Sequence, residues 1–208
     1  SVLVVGLLMG GVSPMIVVQQ MQSGIDGLLL LAIPFFLLAG DLMTVGGMTE
    51  RLLAFTNTLL GRYRGGLAMS NVAAATFMSG ISGSAVADTS ALGRVLIPAM
   101  IREGYSPGFA AALNGSANIV GPIIPPSITF IIIGVLTNLS ITRLFIAGVV
   151  PGILYSGAML AMAYGISRRR NYPVHGRAGW QQIWNTFRTS FWALMMPAWI
   201  IAGIRTGI

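Results

Sequence analysis

Ser79-Gly80-Ile81-Ser82-Gly83-Ser84-Ala85-Val86-Ala87-Asp88 is the stretch whose reading decides the fold. It closes an apolar, small-residue-rich run, Gly65 to Ala87, that holds no charge, and the chain stays largely apolar beyond it to Arg102-Glu103. Other uncharged blocks lie on either side: Ser1 to Ile25, Gly104 to Thr142 and Leu144 to Ser167. A bilayer core of roughly 30 Å is crossed by about 20 such residues as a helix. β-barrel strands would be about 10 residues long and would alternate in polarity. These blocks do not alternate, so the fold class is an all-α polytopic membrane protein. In that setting an aspartate at mid-membrane costs on the order of 2.5–3.5 kcal/mol. A serine- and glycine-rich turn ending in Asp88 therefore predicts the buried tip of a re-entrant helical hairpin.

Composition agrees. Of 208 residues, 55% are hydrophobic and 8% charged, against about 25% charged in soluble domains. The net charge of +7 comes from twelve Arg and no Lys. Because the arginines sit between hydrophobic blocks, they read as orientation charges and not as a nucleic-acid surface. There is no cysteine, which excludes disulfides and thiolate metal sites. The chain starts inside an apolar run without Met and ends just past another, so it reads as a segment of a longer protein.

Spans are expected at Val2 to Val18 and Ile25 to Met43. Thr49 is the expected cap of a short amphipathic helix carrying Leu52, Phe55 and Leu59, lying at the membrane interface. Ser106-Pro107 has the chemistry of a helix start, and that helix should run to Val120. Gly121-Pro122-Ile123-Ile124-Pro125-Pro126-Ser127 breaks it, with helix resuming through Leu136. A further span is expected over Ile141 to Ile166. Trp180, Ile183, Trp184, Phe187 and Phe191 recur at helical spacing, which predicts a second interfacial helix before a last span from Phe191 to Ile204. With Arg168 to Arg177 in the cytoplasm, ten arginines fall inside (51, 62, 64, 94, 102, 168, 169, 170, 177, 188) and two outside (143, 205).

Two places could carry chemistry. Asp88 stands beside the hydroxyls of Ser82 and Ser84 and the orphan backbone groups of a helix–turn–helix. Carboxylate, hydroxyl and carbonyl oxygens suit a hard cation such as sodium better than zinc. The plainer reading makes Asp88 only the N-cap of the second half-helix. The second place is the broken segment. Each proline lacks an N–H and blocks the carbonyl four residues back, so Pro122, Pro125 and Pro126 free those of Asn118, Gly121 and Pro122. Freed carbonyls at membrane depth belong in protein or beside a cavity; the plainer reading is a kink. His175 reads as solvated, and Asp26 and Asp41 as interfacial. An intramembrane protease lacks a second deep carboxylate or a base near a serine. An ion channel would show an uninterrupted pore. A purely structural membrane subunit gives no reason for a serine-flanked Asp88 beside three prolines.

Ser82 to Gly93, Asn114 to Ser127 and Ile33-Pro34-Phe35-Phe36-Leu37-Leu38-Ala39-Gly40 resemble the large membrane subunit of tripartite ATP-independent periplasmic (TRAP) transporters, in its N-terminal half. The resemblance implies an elevator-type transporter with inverted repeats, here the first repeat. Its parts would be scaffold spans plus an interfacial arm helix (1–64), a re-entrant hairpin (65–103), a broken helix (104–140), a membrane span (141–170), and an interfacial helix with the start of the next span (171–208). It implies a sodium site from Ser82, Asp88 and the backbone oxygens of Gly121, Ile124 and Pro126, with Ser84 and Asn118 near the substrate. It further implies sodium as coupling ion with no other cofactor, and organic acids (C4-dicarboxylates, sialic acids or similar) as cargo. The expected partners are an extracytoplasmic substrate-binding protein and a small four-helix membrane subunit, in a bacterial inner membrane.

Overall fold

A computed structural model describes Met15, residues 32–174, Gly176 and residues 178–206. The rest of the expected span Val2 to Val18, the start of the next one with Asp26, His175 and Arg177 lie outside the described residues. The described elements are helices: α1 Ala32–Val45, α2 Met48–Leu60, α3 Gly66–Ser82, α4 Ala85–Arg102, α5 Pro107–Asn118, α6 Ile128–Thr137, α7 Ile141–Arg169 and α8 Trp180–Thr206. One of them, α7, is long and apolar enough to cross a membrane.

The centre of the fold is α3. Its Gly, Ala and Ser residues let neighbouring helices approach closely, and most of its positions are buried. It packs against α2, α4, α5 and α7, with lighter contact to α1 and α8. Thr76 of α3 donates to Ser156 Oγ of α7 at 3.0 Å. The two-residue turn Gly83-Ser84 then reverses the chain into α4, which lies back along α3. Gly83 sits at φ 60°, the left-handed region that ends helices and that L side chains avoid.

Three connections meet at one end of the molecule. Arg64 donates to Asn171 Oδ1 at 2.7 Å, and Gly65 N to the Pro173 carbonyl at 3.2 Å. Arg170 donates to Ser106 Oγ at 3.1 Å, and Tyr105 stacks on Tyr172 at 4.1 Å. The arginine-bearing loops at 62–64, 102–106 and 168–172 thus share a face, as the charge pattern requires if all three lie on one side. Ser106 stands at the N-cap position and Pro107 in the first turn, but the Ser106 hydroxyl serves Arg170 and caps nothing.

Two local expectations are corrected. Gly47, not Thr49, is the N-cap of α2; Thr49 is buried inside the first turn with its hydroxyl toward Met78 Sδ at 3.8 Å. Of the apolar stripe of α2, Leu52 and Phe55 are buried against α3 and α8 while Leu59 is exposed, and Phe55 meets the Phe187 ring at 5.9 Å. The second aromatic helix and the last span are one continuous helix, α8, tied to α2 by Ser190 Oγ donating to the Arg51 carbonyl at 2.8 Å.

The irregular segment 119–127 between α5 and α6 rests on α7. A Cβ at Gly148 would run into the Ile123 carbonyl and the Phe130 ring, and one at Gly152 into the Ile124 side chain. Gly152→Val should therefore push the segment off α7. A loss of about 1–3 kcal/mol, typical of overpacking, is expected as a lower melting temperature of the intact protein in detergent. An unchanged melt would contradict the packing.

Candidate functional site

The hairpin turn and the broken segment meet backbone to backbone. A Cβ on Gly121 would lie 2.8 Å from Ala85 N and 3.2 Å from the Ser84 carbonyl carbon. On the other side of the turn, a Cβ on Gly83 would strike the Pro126 carbonyl oxygen and sit 3.3 Å from Ile128 N. Two glycines, one on each element, make this approach possible.

On the hairpin side, Ser84 is the N-cap of α4 and accepts from Ala87 N at 3.4 Å. Asp88 is therefore not the cap. It stands in the first turn, where the helix dipole favours a negative charge, and its own N–H bonds the Ser84 carbonyl at 3.1 Å. The Asp88 side chain is 1% exposed. Ser82 Oγ accepts from Ser84 N at 3.2 Å, and Asp88 Oδ2 has no partner. A buried carboxylate oxygen with nothing to accept from is costly, and a bound cation would satisfy it. Ser82, Ser84 and Asp88 line one cleft of about 240 Å³.

On the other side, the proline argument resolves carbonyl by carbonyl. The Asn118 carbonyl, freed by Pro122, accepts from Gly121 N at 3.0 Å. The Pro122 carbonyl, freed by Pro126, accepts from Ser127 Oγ at 2.7 Å. Ser127 in turn caps α6 by accepting from Phe130 N. The Gly121 carbonyl, freed by Pro125, takes no hydrogen bond from the described residues, and neither do those of Ile124 and Pro126. Gly121 and Pro126 are buried. The carbonyls of Ile119, Ile123 and Pro125 are open in the same way, and none of the three residues assigned to a cation through its backbone lines the cleft with Asp88.

Not every residue comes together. The Ile124 side chain turns to Gly152 on α7. Asn118 is fully buried, donates to the Asn114 carbonyl at 2.8 Å, and does not line the cleft with Ser84. Two residues that sequence reasoning did not assign to the site do line it: Asp41 from α1, expected at the interface, and Arg94 from α4, expected to be an orientation charge. Arg94 follows Asp88, Ala87 and Ala91 on one helix stripe, a spacing that could have flagged it. Among the described residues no cluster of three His, Cys, Asp or Glu side chains could hold a metal ion. A cation bound at Asp88 would meet carboxylate and neutral oxygens, a donor set for a hard ion.

The tip of the α3–α4 hairpin thus packs on the break between α5 and α6, with a buried carboxylate one turn from the tip. The whole chain, residues 1–208, matches the family model described as Tripartite ATP-independent periplasmic transporter, DctM component. The chain belongs to this family. It is 43% identical to the sialic acid TRAP transporter permease protein SiaT of Haemophilus influenzae, over 91% of this chain and 31% of that protein. It is 43% identical to the 2,3-diketo-L-gulonate TRAP transporter large permease protein YiaN of Escherichia coli, over 93% of this chain and 45% of that one. It is 41% identical to the ectoine/5-hydroxyectoine TRAP transporter large permease protein UehC of Ruegeria pomeroyi, over 92% and 45%. The chain thus spans less than half the length of these relatives.

Proposed function

We propose that this chain forms the first repeat of the membrane subunit of a sodium-coupled secondary transporter that imports an organic acid. The observation that carries this reading is the meeting of Gly83-Ser84-Ala85 with Gly121 and Pro126, one helical turn from the buried Asp88, whose Oδ2 has no partner. Sodium bound by Ser82, Asp88, Gly121, Ile124 and Pro126 would tie the tip to the break and complete the face on which Ser84 meets the solute. Asn118 would act from behind that face, by holding the end of α5 through Asn114.

Depth supports the re-entrant reading. The break packs on Gly148 and Gly152 of α7. At 1.5 Å per residue those positions lie about 10–17 Å from the α7 N-terminus and about 25 Å or more from Arg169. α3 and α4, of 17 and 18 residues, rise from the arginine-bearing end to that depth and turn. In the elevator scheme α3 to α6 move as the transport core, while α1, α2 and α8 belong to the scaffold with its arm. A second, inverted copy of hairpin and break would supply the opposite wall. The solute would arrive on an extracytoplasmic binding protein, and a small four-helix subunit would join the scaffold in the bacterial inner membrane.

The test is uptake by the full-length transporter with its binding protein in liposomes. An inward sodium gradient should drive accumulation of one organic acid, and replacing sodium by potassium should reduce it to background. Equal uptake in both salts would overturn the coupling.

A further inference from the structure

We infer that Arg94 and Asp41 form a two-charge recognition pair, selecting a solute that carries one carboxylate and, across from it, hydrogen-bond donors or a cationic nitrogen. The inference rests on the transporter reading of the same cleft and narrows its cargo. The cleft of about 240 Å³ has two walls. α1 supplies Asp41; the hairpin supplies Ser82, Ser84, Asp88, Ser90 and Arg94. On α4, Ala87, Asp88, Ala91 and Arg94 follow at three- and four-residue intervals, so they share one face. The two alanines leave the space open. Asp41 and Arg94 are both exposed into it, and no ion pair joins them among the described residues.

Charge decides what fits. The cleft holds two carboxylates and one guanidinium. A cation at Asp88 satisfies the buried, unpartnered carboxylate. One negative and one positive side chain then remain, Asp41 on the scaffold helix and Arg94 on the moving hairpin, so the two meet the solute together only while this cleft is open. The planar guanidinium matches a carboxylate bidentately. Asp41, acceptor only when ionised, matches hydroxyl, amide or amidinium donors. A bare C4-dicarboxylate would place its second carboxylate against Asp41, a like-charge contact that discriminates against it. A hydroxylated acid or a zwitterion meets both walls.

The experiment uses the full-length transporter with its binding protein in liposomes, a sodium gradient, and sialic acid, ectoine and succinate as probes. Wild type should take up sialic acid or ectoine and reject succinate. Arg94→Gln should raise KM roughly 10- to 100-fold, the span for losing a charged hydrogen bond, with kcat changed less, and Arg94→Lys should fall between. Asp41→Asn should let succinate in. Preference of wild type for succinate, or an unchanged KM in Arg94→Gln, would overturn the pair while leaving sodium-driven transport standing. Sodium-independent uptake, or none of any probe, would remove the transport reading first. An Arg94→Gln protein that also loses its sodium-induced rise in melting temperature would mark Arg94 as structural and likewise overturn the inference.

Discussion

Asp88→Asn should weaken sodium binding to the intact transporter by roughly 30-fold or more, corresponding to the ~2–5 kcal/mol lost when one partner of a buried charge pair is removed. Asparagine keeps the shape, so the hairpin should still fold. Wild-type Asp88 is buried with one carboxylate oxygen unpartnered, a cost that the neutral amide reduces. Without sodium the variant should therefore melt at or above the wild-type temperature. Sodium should stabilise wild type by mass action, about 2.7 kcal/mol at a hundredfold excess over Kd, and leave Asp88→Asn unmoved. Calorimetric melts across a sodium series, with sodium-driven uptake alongside, measure both. A variant whose melt and uptake follow sodium as in wild type would remove Asp88 from the site.

Gly83→Val and Gly121→Val should abolish sodium coupling although neither residue carries a charge or a side-chain oxygen. Gly83 holds φ 60°, and a Cβ there would strike the Pro126 carbonyl. The left-handed backbone alone costs an L residue about 1–2 kcal/mol, and a β-branched side chain makes it worse. At Gly121 the added carbon would sit 2.8 Å from Ala85 N, against backbone that cannot turn away, at the usual overpacking cost of about 1–3 kcal/mol. Either change opens a gap between tip and break, and so would part the carbonyls of the break from the turn that carries Asp88. Gly115→Ala is the control: in α5 it meets nothing within 4 Å, and it should be neutral or stabilise by about 0.5–1 kcal/mol. Retained coupling in both valine variants would show that the contact is incidental.

The legible parts were those where backbone chemistry leaves a mark in composition. A glycine and a serine next to an aspartate inside an apolar run announce a turn with a buried charge. Prolines announce which carbonyls must find new partners, and of the three they point to, that of Gly121 takes no hydrogen bond from the described residues. They could not show that Asn118 and Pro122 would be satisfied by Gly121 N and Ser127 Oγ, because that depends on how the chain turns. Periodicity does not say what covers a stripe. In α2, Leu52 and Phe55 lie under α3 and α8 while Leu59 is exposed, a division that no spacing shows. Asp41 escaped because its meaning arises only when α1 is laid beside α4, more than forty residues away in sequence. That is tertiary information with no local trace.

The most direct measurement of the central claim is a high-resolution structure of the full-length transporter in sodium, paired with one in potassium. The account predicts a density peak in sodium within coordination distance of both Asp88 Oδ2 and the Gly121 carbonyl, absent in potassium, with the hairpin tip closed on the break inside the bilayer. A tip standing in bulk water, or those two oxygens too far apart to share one ion, would contradict it.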